Sequence, residues 1–553
     1  MTNPTSASPN WVRGFFGALL DRLIGWRLGF PPETCNYRVQ GLRIPISDGL
    51  NRIEFAADLY QPILPKDTKP AGTILVCCPY GRGLPLTICA RVFASRGFQV
   101  LFSSCRGTFG SGGEFDPFRT EVEDGKAVVE WMREQDWYTG TFATLGGSYL
   151  GFTQWGILCD PPKDMVTAII AVAPHDFGRG IWETGALNLD IVSWANTMAH
   201  REEPYFLLRR ILKLNNFRPV LDSIPLAQSV EKAMGGKAPW LKNIMSKPSL
   251  EDPHYAPMNL GEALERVNIP ILLQGGWYDI FTEQTMEQYF RLQERGCNVA
   301  LTMGPWTHNG VGYDPITTQE SLAWMEKHLA QQGKTERQAP MQYYVTGAGE
   351  WRHTAKFPPP SAPYTLHLRS GQNLTSETPD SEATSSDFIF DPHNPTPTMG
   401  GNTHRKAGSV DDTALSKRSD VLSFTTAPLD EDLEVIGKPI VELKHSTDNP
   451  YADLFIRISE VDEKGMSHNI TEAYQRLDPE RKTNVVRLSL HWCAHRFVKG
   501  KSIRLMVAGG SHPHYARNIG TENPDNTRSD VKAVRHTIFH GGTQISKIVL
   551  PSA

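Results

Sequence analysis

Thr144-Leu145-Gly146-Gly147-Ser148-Tyr149-Leu150-Gly151 is the stretch from which this 553-residue chain is best read. Phe142 to Leu145 is short, apolar and β-prone, whereas Tyr149 to Leu158 spaces its apolar residues as a helix does. The pattern is strand, tight glycine turn, helix, with a serine on the turn. Such a turn lifts the hydroxyl clear of the sheet edge, and it is sharp enough that the flanking side chains must be small. That presentation suits a nucleophile, although an ordinary Gly-Ser turn has the same composition. The strict Gly-x-Ser-x-Gly spacing is not met: Leu150 stands where the second glycine belongs, and Gly151 follows one position later.

Two later segments bear on the choice. Asn268 to Gln274 reads as a buried strand and runs into Gly275-Gly276-Trp277-Tyr278-Asp279. Asn298 to Met303 is another, running into Gly304-Pro305-Trp306-Thr307-His308. Each places one ionisable residue just past the carboxyl end of an expected parallel strand, where open α/β sheets build their sites. A serine hydroxyl is a poor nucleophile until a base takes its proton, and an imidazole base needs a carboxylate to hold its tautomer. Singly, Asp279 reads as well as a capping residue and His308 as a loop histidine. Three strand ends in the chain order Ser, Asp, His, the order of α/β-hydrolases, make Ser148, Asp279 and His308 the expected catalytic set.

These motifs resemble those of the cocaine esterase-like (CocE/NonD) serine hydrolases of the X-prolyl dipeptidyl-peptidase superfamily. Gly146 to Trp155 is similar to that family's serine turn, including a glycine three residues after the serine, and the segments ending at Asp279 and His308 are similar to its acid and histidine motifs. Cys105-Arg106-Gly107 resembles its Asp-x-Arg-Gly segment, with Cys105 in place of the usual aspartate. The likeness runs from about Val39 to the carboxyl end. It implies an oxyanion hole formed by the Tyr80 hydroxyl, after the strand Thr73 to Cys78, and by the backbone N–H of Tyr149. It also points to Trp182, Trp194 and Phe281 as pocket aromatics; core packing is the alternative for each. In α-amino ester hydrolases a glutamate and an aspartate stand two and three residues after the acid; here those positions are Phe281 and Thr282, with Glu283 one step further.

Composition narrows the partners. The chain is 40% hydrophobic and 21% charged with a net charge of −4, so it has no basic field to recruit nucleic acid. Eight scattered cysteines without a Cys-x-x-Cys pair suit a reduced compartment, and no metal site is expected, His512 and His514 included. Trp11 to Phe30 is apolar but interrupted by Arg13, Asp21, Arg22 and Arg27, and it lacks a small-residue cleavage site. Neither a membrane span nor a signal peptide is therefore expected, and a cytoplasmic location follows. An amphipathic helix packed on the body is the first reading of this segment, and contact with a membrane or partner the second.

The expected architecture is α/β: an α/β-hydrolase domain with an inserted helical cap, followed by an all-β jelly-roll domain. Alternating residues from Val39 to Pro62 read as antiparallel strands; Thr73–Cys78, Gln99–Ser103, Phe142–Leu145 and Thr167–Ala173 read as buried parallel strands separated by helices such as Asp116 to Glu134. The boundaries drawn are an extension over 1–35, the catalytic domain over 36–174 and 263–345, the cap over 175–262 and the jelly roll, which the resemblance implies, over 346–553. The expected activity is hydrolysis of a small-molecule carboxylic ester, with amides as a side activity, through an acyl-enzyme and without a cofactor. An acyltransferase or peptidase using the same residues, a non-catalytic binding protein with this fold, and a homo-oligomer stay open.

Overall fold

The computed structural model describes residues 10–49, 51–203, 216–333, 337–377 and 381–553. The alternating stretch forms a long antiparallel hairpin, β2 (Asn36–Asp48) with β3 (Asn51–Ile63), and β1 (Trp11–Val12) pairs along its outer edge. The apolar runs become parallel strands: β4 (Thr73–Cys78), β5 (Gln99–Ser104), β6 (Phe142–Gly147), β7 (Met165–Ala171), β8 (Ile271–Tyr278), β9 (Val299–Thr307) and β10 (Met341–Val345). Every residue of β5 and β8 is buried, as strands covered on both faces require. With β11 (Glu350–Thr354) folded back on β10, the sheet order is β1-β2-β3-β5-β4-β6-β7-β8-β9-β10-β11. This is an α/β-hydrolase-like sheet, and β11 carries it past the change of character expected near residue 346.

Helices α1 (Phe15–Arg27), α2 (Ile88–Ala94), α3 (Glu121–Arg133) and α4 (Tyr149–Leu158) lie beside the sheet. All of α4 except Leu150 is buried, so its apolar residues surround the helix instead of forming a stripe. Helix α3 starts at Glu121 instead of Asp116 because Phe118 takes a left-handed conformation (φ 66°) and stacks its ring on Phe177 with centroids 3.5 Å apart. Strands β8 and β9 continue beyond the expected ends at Gln274 and Met303, through the glycines that follow.

Between β7 and β8 the chain is helical, with α5 (Phe177–Trp182), α6 (Leu189–His200) and further helices at Leu226–Met234, Pro239–Ser246 and Gly261–Arg266. Residues 204–215 of the expected cap, and 1–9 of the expected extension, lie outside the described residues. From Ala362 to Ser552 the structure is β-rich: a thirteen-stranded, mainly antiparallel sheet packs on residues such as Leu366, Phe424, Ile456 and Leu505.

The glycine that falls one position late in the serine turn has a packing reason. A Cβ on Gly151 would lie 2.3 Å from the Cβ of Ala173, and one on Gly146 would lie 2.5 Å from that of Leu150. We expect Gly151→Ala to lower the urea midpoint, since overpacking costs about 1–3 kcal/mol and outweighs the roughly 1 kcal/mol that alanine adds to a helix interior. A midpoint equal to or above that of the parent would contradict this packing.

Candidate active site

Ser148 sits between β6 and α4 at φ 57°, ψ −125°. A non-glycine residue held there stores about 1–3 kcal/mol of strain, which the surroundings must over-determine. They do so through backbone bonds. The Ser148 N–H donates to the Ala171 carbonyl at 2.9 Å, and its carbonyl accepts from the N–H groups of Gly151 and Phe152 at 2.9 and 3.0 Å. The turn thereby aims a half-buried hydroxyl past the carboxyl ends of the strands.

Asp279 follows β8 and His308 follows β9, and glycines bring these two ends together. A Cβ on Gly276 would lie 2.1 Å from the Trp306 carbonyl oxygen, and one on Gly304 would lie 2.4 Å from the Trp306 ring. The acid and the histidine therefore meet: His308 Nδ1 is 2.6 Å from Asp279 Oδ1, and His308 Nε2 is 2.9 Å from Ser148 Oγ. An ionised carboxylate can only accept, so Nδ1 carries the proton and Nε2 is free to accept from the serine. Asp279 is 1% exposed, and its second oxygen accepts from the Phe281 N–H at 3.1 Å.

The Tyr80 hydroxyl accepts from the Trp194 indole N–H at 3.2 Å and lies beside Ser148. Burial pushes the Tyr80 hydroxyl up to about 12, so it remains an O–H donor at neutral pH. The Tyr149 N–H belongs to the first turn of α4, whose amides have no carbonyl partner in the helix. The Tyr149 side chain turns away: its hydroxyl bonds the Glu121 carboxyl and accepts from the Phe118 N–H at 3.2 Å.

Trp194 lies in an aromatic wall with Tyr149, Phe115, Phe118 and Trp240, at ring separations of 5.5–6.5 Å. Phe281 places its ring 5.6 Å from that of His308. Trp182 is 2% exposed, and its N–H is directed to the Tyr255 hydroxyl at 2.8 Å. Among the described residues no hydrogen bond or ring contact joins Trp182 to the serine, tyrosine and histidine group. Glu283 points to the β-rich part, where it bonds the Lys438 ammonium at 2.5 Å, His491 at 3.2 Å and the Trp492 N–H at 3.1 Å.

Residues of the β-rich part that no sequence motif marks also reach the site. The Asn402 amide donates to the carbonyls of Trp277 and Asp279, both at 2.9 Å, and so holds the acid's turn. The His404 ring stands 5.4 Å from that of His308, and the backbone N–H of His404 donates to Asp190 at 2.8 Å. Both lie in the stretch from Asp391 to Lys417, whose composition shows only a long loop. Among the described residues no group of three or more His, Cys, Asp or Glu is arranged to hold a metal ion, and His512 and His514 contact different carboxylates, Asp222 and Asp190.

Residues 48–310 match the X-Pro dipeptidyl-peptidase (S15) family and residues 332–549 match the X-Pro dipeptidyl-peptidase C-terminal non-catalytic domain. The chain belongs to the S15 family of hydrolases. Its curated relatives include the cocaine esterase of Rhodococcus sp. (strain MB1 Bresler), 25% identical over 93% of this chain and 99% of that one. Solved structures of similar fold include an α-amino acid ester hydrolase (20% identical, TM-score 0.78, covering 94% of this chain and 97% of that one). An aminopeptidase from a marine sediment archaeon, Thaumarchaeota archaeon, is alike to the same degree (19% identical, TM-score 0.78, covering 95% and 98%). This S15-family chain is thus a serine hydrolase with an α/β-hydrolase-like fold and a β-rich carboxyl-terminal part.

Behind the serine, burial and then the nearby Asp124 charge push the Glu121 carboxyl up to about 7, although its bond from the Tyr149 hydroxyl pulls the other way. A raised carboxyl favours the protonated fold, so its contribution is full below about pH 4.5 and declines as pH rises through 7. We expect Glu121→Gln to remove a decline on the order of 3 kcal/mol between pH 4.5 and 8. Urea midpoints across that range would show it, and an unchanged pH slope would refute the buried acid.

Proposed function

We propose that this hydrolase cleaves carboxylic esters through an acyl-enzyme on Ser148. The observation that carries the reading is the continuous chain from Asp279 Oδ1 through His308 to Ser148 Oγ, with spacings of 2.6 and 2.9 Å. His308 Nε2 takes the serine proton as Oγ attacks the ester carbonyl, and Asp279 stabilises the imidazolium that forms. The Tyr80 O–H and the Tyr149 N–H donate to the oxygen as it gains charge, stabilising the tetrahedral species more than the ester. His308 then protonates the departing alcohol. Water enters by the same route in reverse, attacking the acyl-enzyme as His308 removes its proton.

The wall formed by Trp194, Phe115 and Trp240, with Phe281 beside the histidine, favours a bulky or aromatic ester over a short polar one. The helices between β7 and β8 supply most of that wall and act as a cap. The α-amino ester reading needs carboxylates facing the substrate's ammonium. Glu283, the nearest candidate after the acid, is engaged by Lys438 and His491, and Phe281 occupies the side toward the histidine. Neutral acyl groups therefore fit better than α-amino acyl groups.

A panel of esters and amides with short, long, aromatic and α-amino acyl groups tests this reading directly. We expect Ser148→Ala to lower kcat by roughly 10⁴-fold or more without loss of folding. Turnover retained in that variant would exclude the acyl-enzyme on Ser148. Tyr80→Phe, which removes one oxyanion donor, is expected to lower kcat roughly 10²- to 10³-fold, and a change below threefold would rule out its role.

A further inference from the structure

Helix α1 is built inside out. Its buried face is polar: Asp21, 2% exposed, bonds Arg13, Arg91 at 2.7 Å and the Tyr37 hydroxyl at 2.8 Å, and Arg13 continues to Glu33 at 2.6 Å. Its outward face is apolar, with Phe15 77%, Phe16 83% and Trp26 75% exposed beside Leu19, Leu20 and Leu23. Of the thirteen large hydrophobic residues exposed among the described residues, seven fall between Val12 and Trp26. The helix is packed on the body, as the first sequence reading has it, but it is the polar side that is buried. The ion pairs beneath the helix fasten it, and its apolar side faces outward.

The spacing of that face is informative. At 100° per residue, Phe15, Phe16, Leu19, Leu20, Leu23 and Trp26 fall within an arc of about 140°, with Arg22 about 20° outside one margin and Arg27 about 20° inside the other. Both arginines are exposed, whereas the single acid of the helix, Asp21, is buried. Arg96, packed against Gly25, adds to the positive charge. Five arginines (13, 22, 27, 91 and 96) thus stand on or under the helix against two carboxylates, Asp21 and Glu33. A broad aromatic and leucine face with arginines at its margins is the pattern of a helix lying in the interface of a bilayer, where arginine stems follow the apolar surface and their heads reach the lipid phosphates. The thirteen residues of α1 span about 20 Å, short of the roughly 30 Å of a hydrocarbon core, so the helix lies along the surface instead of crossing it. A second copy of the chain is the weaker occupant, because a symmetric α1 to α1 contact would bring two clusters of the same positive sign together.

We propose that α1 binds the protein peripherally to anionic lipid bilayers. The test is sedimentation of the full chain with vesicles of phosphatidylcholine alone and of phosphatidylcholine mixed with phosphatidylglycerol, at low and at 0.5 M salt. Binding to the mixed vesicles is expected, weakened by salt and at least tenfold lower on phosphatidylcholine alone. Arg22→Ala and Arg27→Ala should each weaken binding roughly fivefold, the worth of one basic residue at an anionic surface. Leu19→Glu with Leu23→Glu, at positions exposed enough to leave the fold intact, should abolish binding while ester turnover is unchanged. No sedimentation with the mixed vesicles, or binding that survives the double variant, would overturn the proposal. So would a dimer of the parent chain that the double variant makes monomeric, since the face would then be covered by a second copy.

Discussion

The candidate active site depends on one strained residue. Ser148 occupies a backbone conformation that side chains other than glycine avoid, and it remains there because three backbone hydrogen bonds and two close glycine contacts leave the turn no alternative. The strain and the proposed role of Ser148 are linked, since a relaxed turn would return the hydroxyl to the sheet edge and away from His308. The consequences extend outward. Helix α4 must begin immediately after the serine, so it runs through the middle of the core, and its nearly complete burial follows.

A second constraint acts where β8 and β9 close on each other. Gly275, Gly276 and Gly304 have no room for a side chain, because Met303, the Trp306 backbone and the Trp306 ring fill that space. The glycines are therefore packing residues, and their effect is to converge two strand ends that carry an acid and a base. The β-rich part completes the arrangement from outside. Asn402 holds the carbonyls on either side of the acid's turn, Thr403 and His404 bond Asp190, and Lys438 and His491 engage Glu283 on the helix that follows Asp279. With these contacts the carboxyl-terminal part forms one wall of the site.

Much of this was legible in the chain. Alternation marked the β2–β3 hairpin, short apolar runs marked the parallel strands, and three motifs at strand ends marked the serine, the acid and the histidine. The errors are equally specific. The helix expected from Asp116 starts late because a ring stack on Phe177, distant in sequence, holds Phe118 in a left-handed turn. Trp182 and Trp194 look alike as tryptophans in a helical segment, yet one directs its N–H to Tyr255 and the other to Tyr80. Nothing local distinguishes them, because the difference lies in partners separated from each by tens of residues.

Periodicity, turn chemistry and motif order are local properties, and from them the sequence by itself determined the α/β sheet, the β-rich second part and the residue types able to perform acyl chemistry. Which groups share a space is settled by chain closure, and only the tertiary structure decided it. It brought Asn402 and His404 from an unremarkable loop to the acid and the histidine, paired Glu283 with Lys438 and His491 and placed a buried acid against the Tyr149 hydroxyl. It also decided which side of α1 faces the body. The apolar periodicity of that segment was visible, but which face would be buried depended on Arg91, Tyr37 and Glu33, and a buried ion-pair network outweighed hydrophobic burial there.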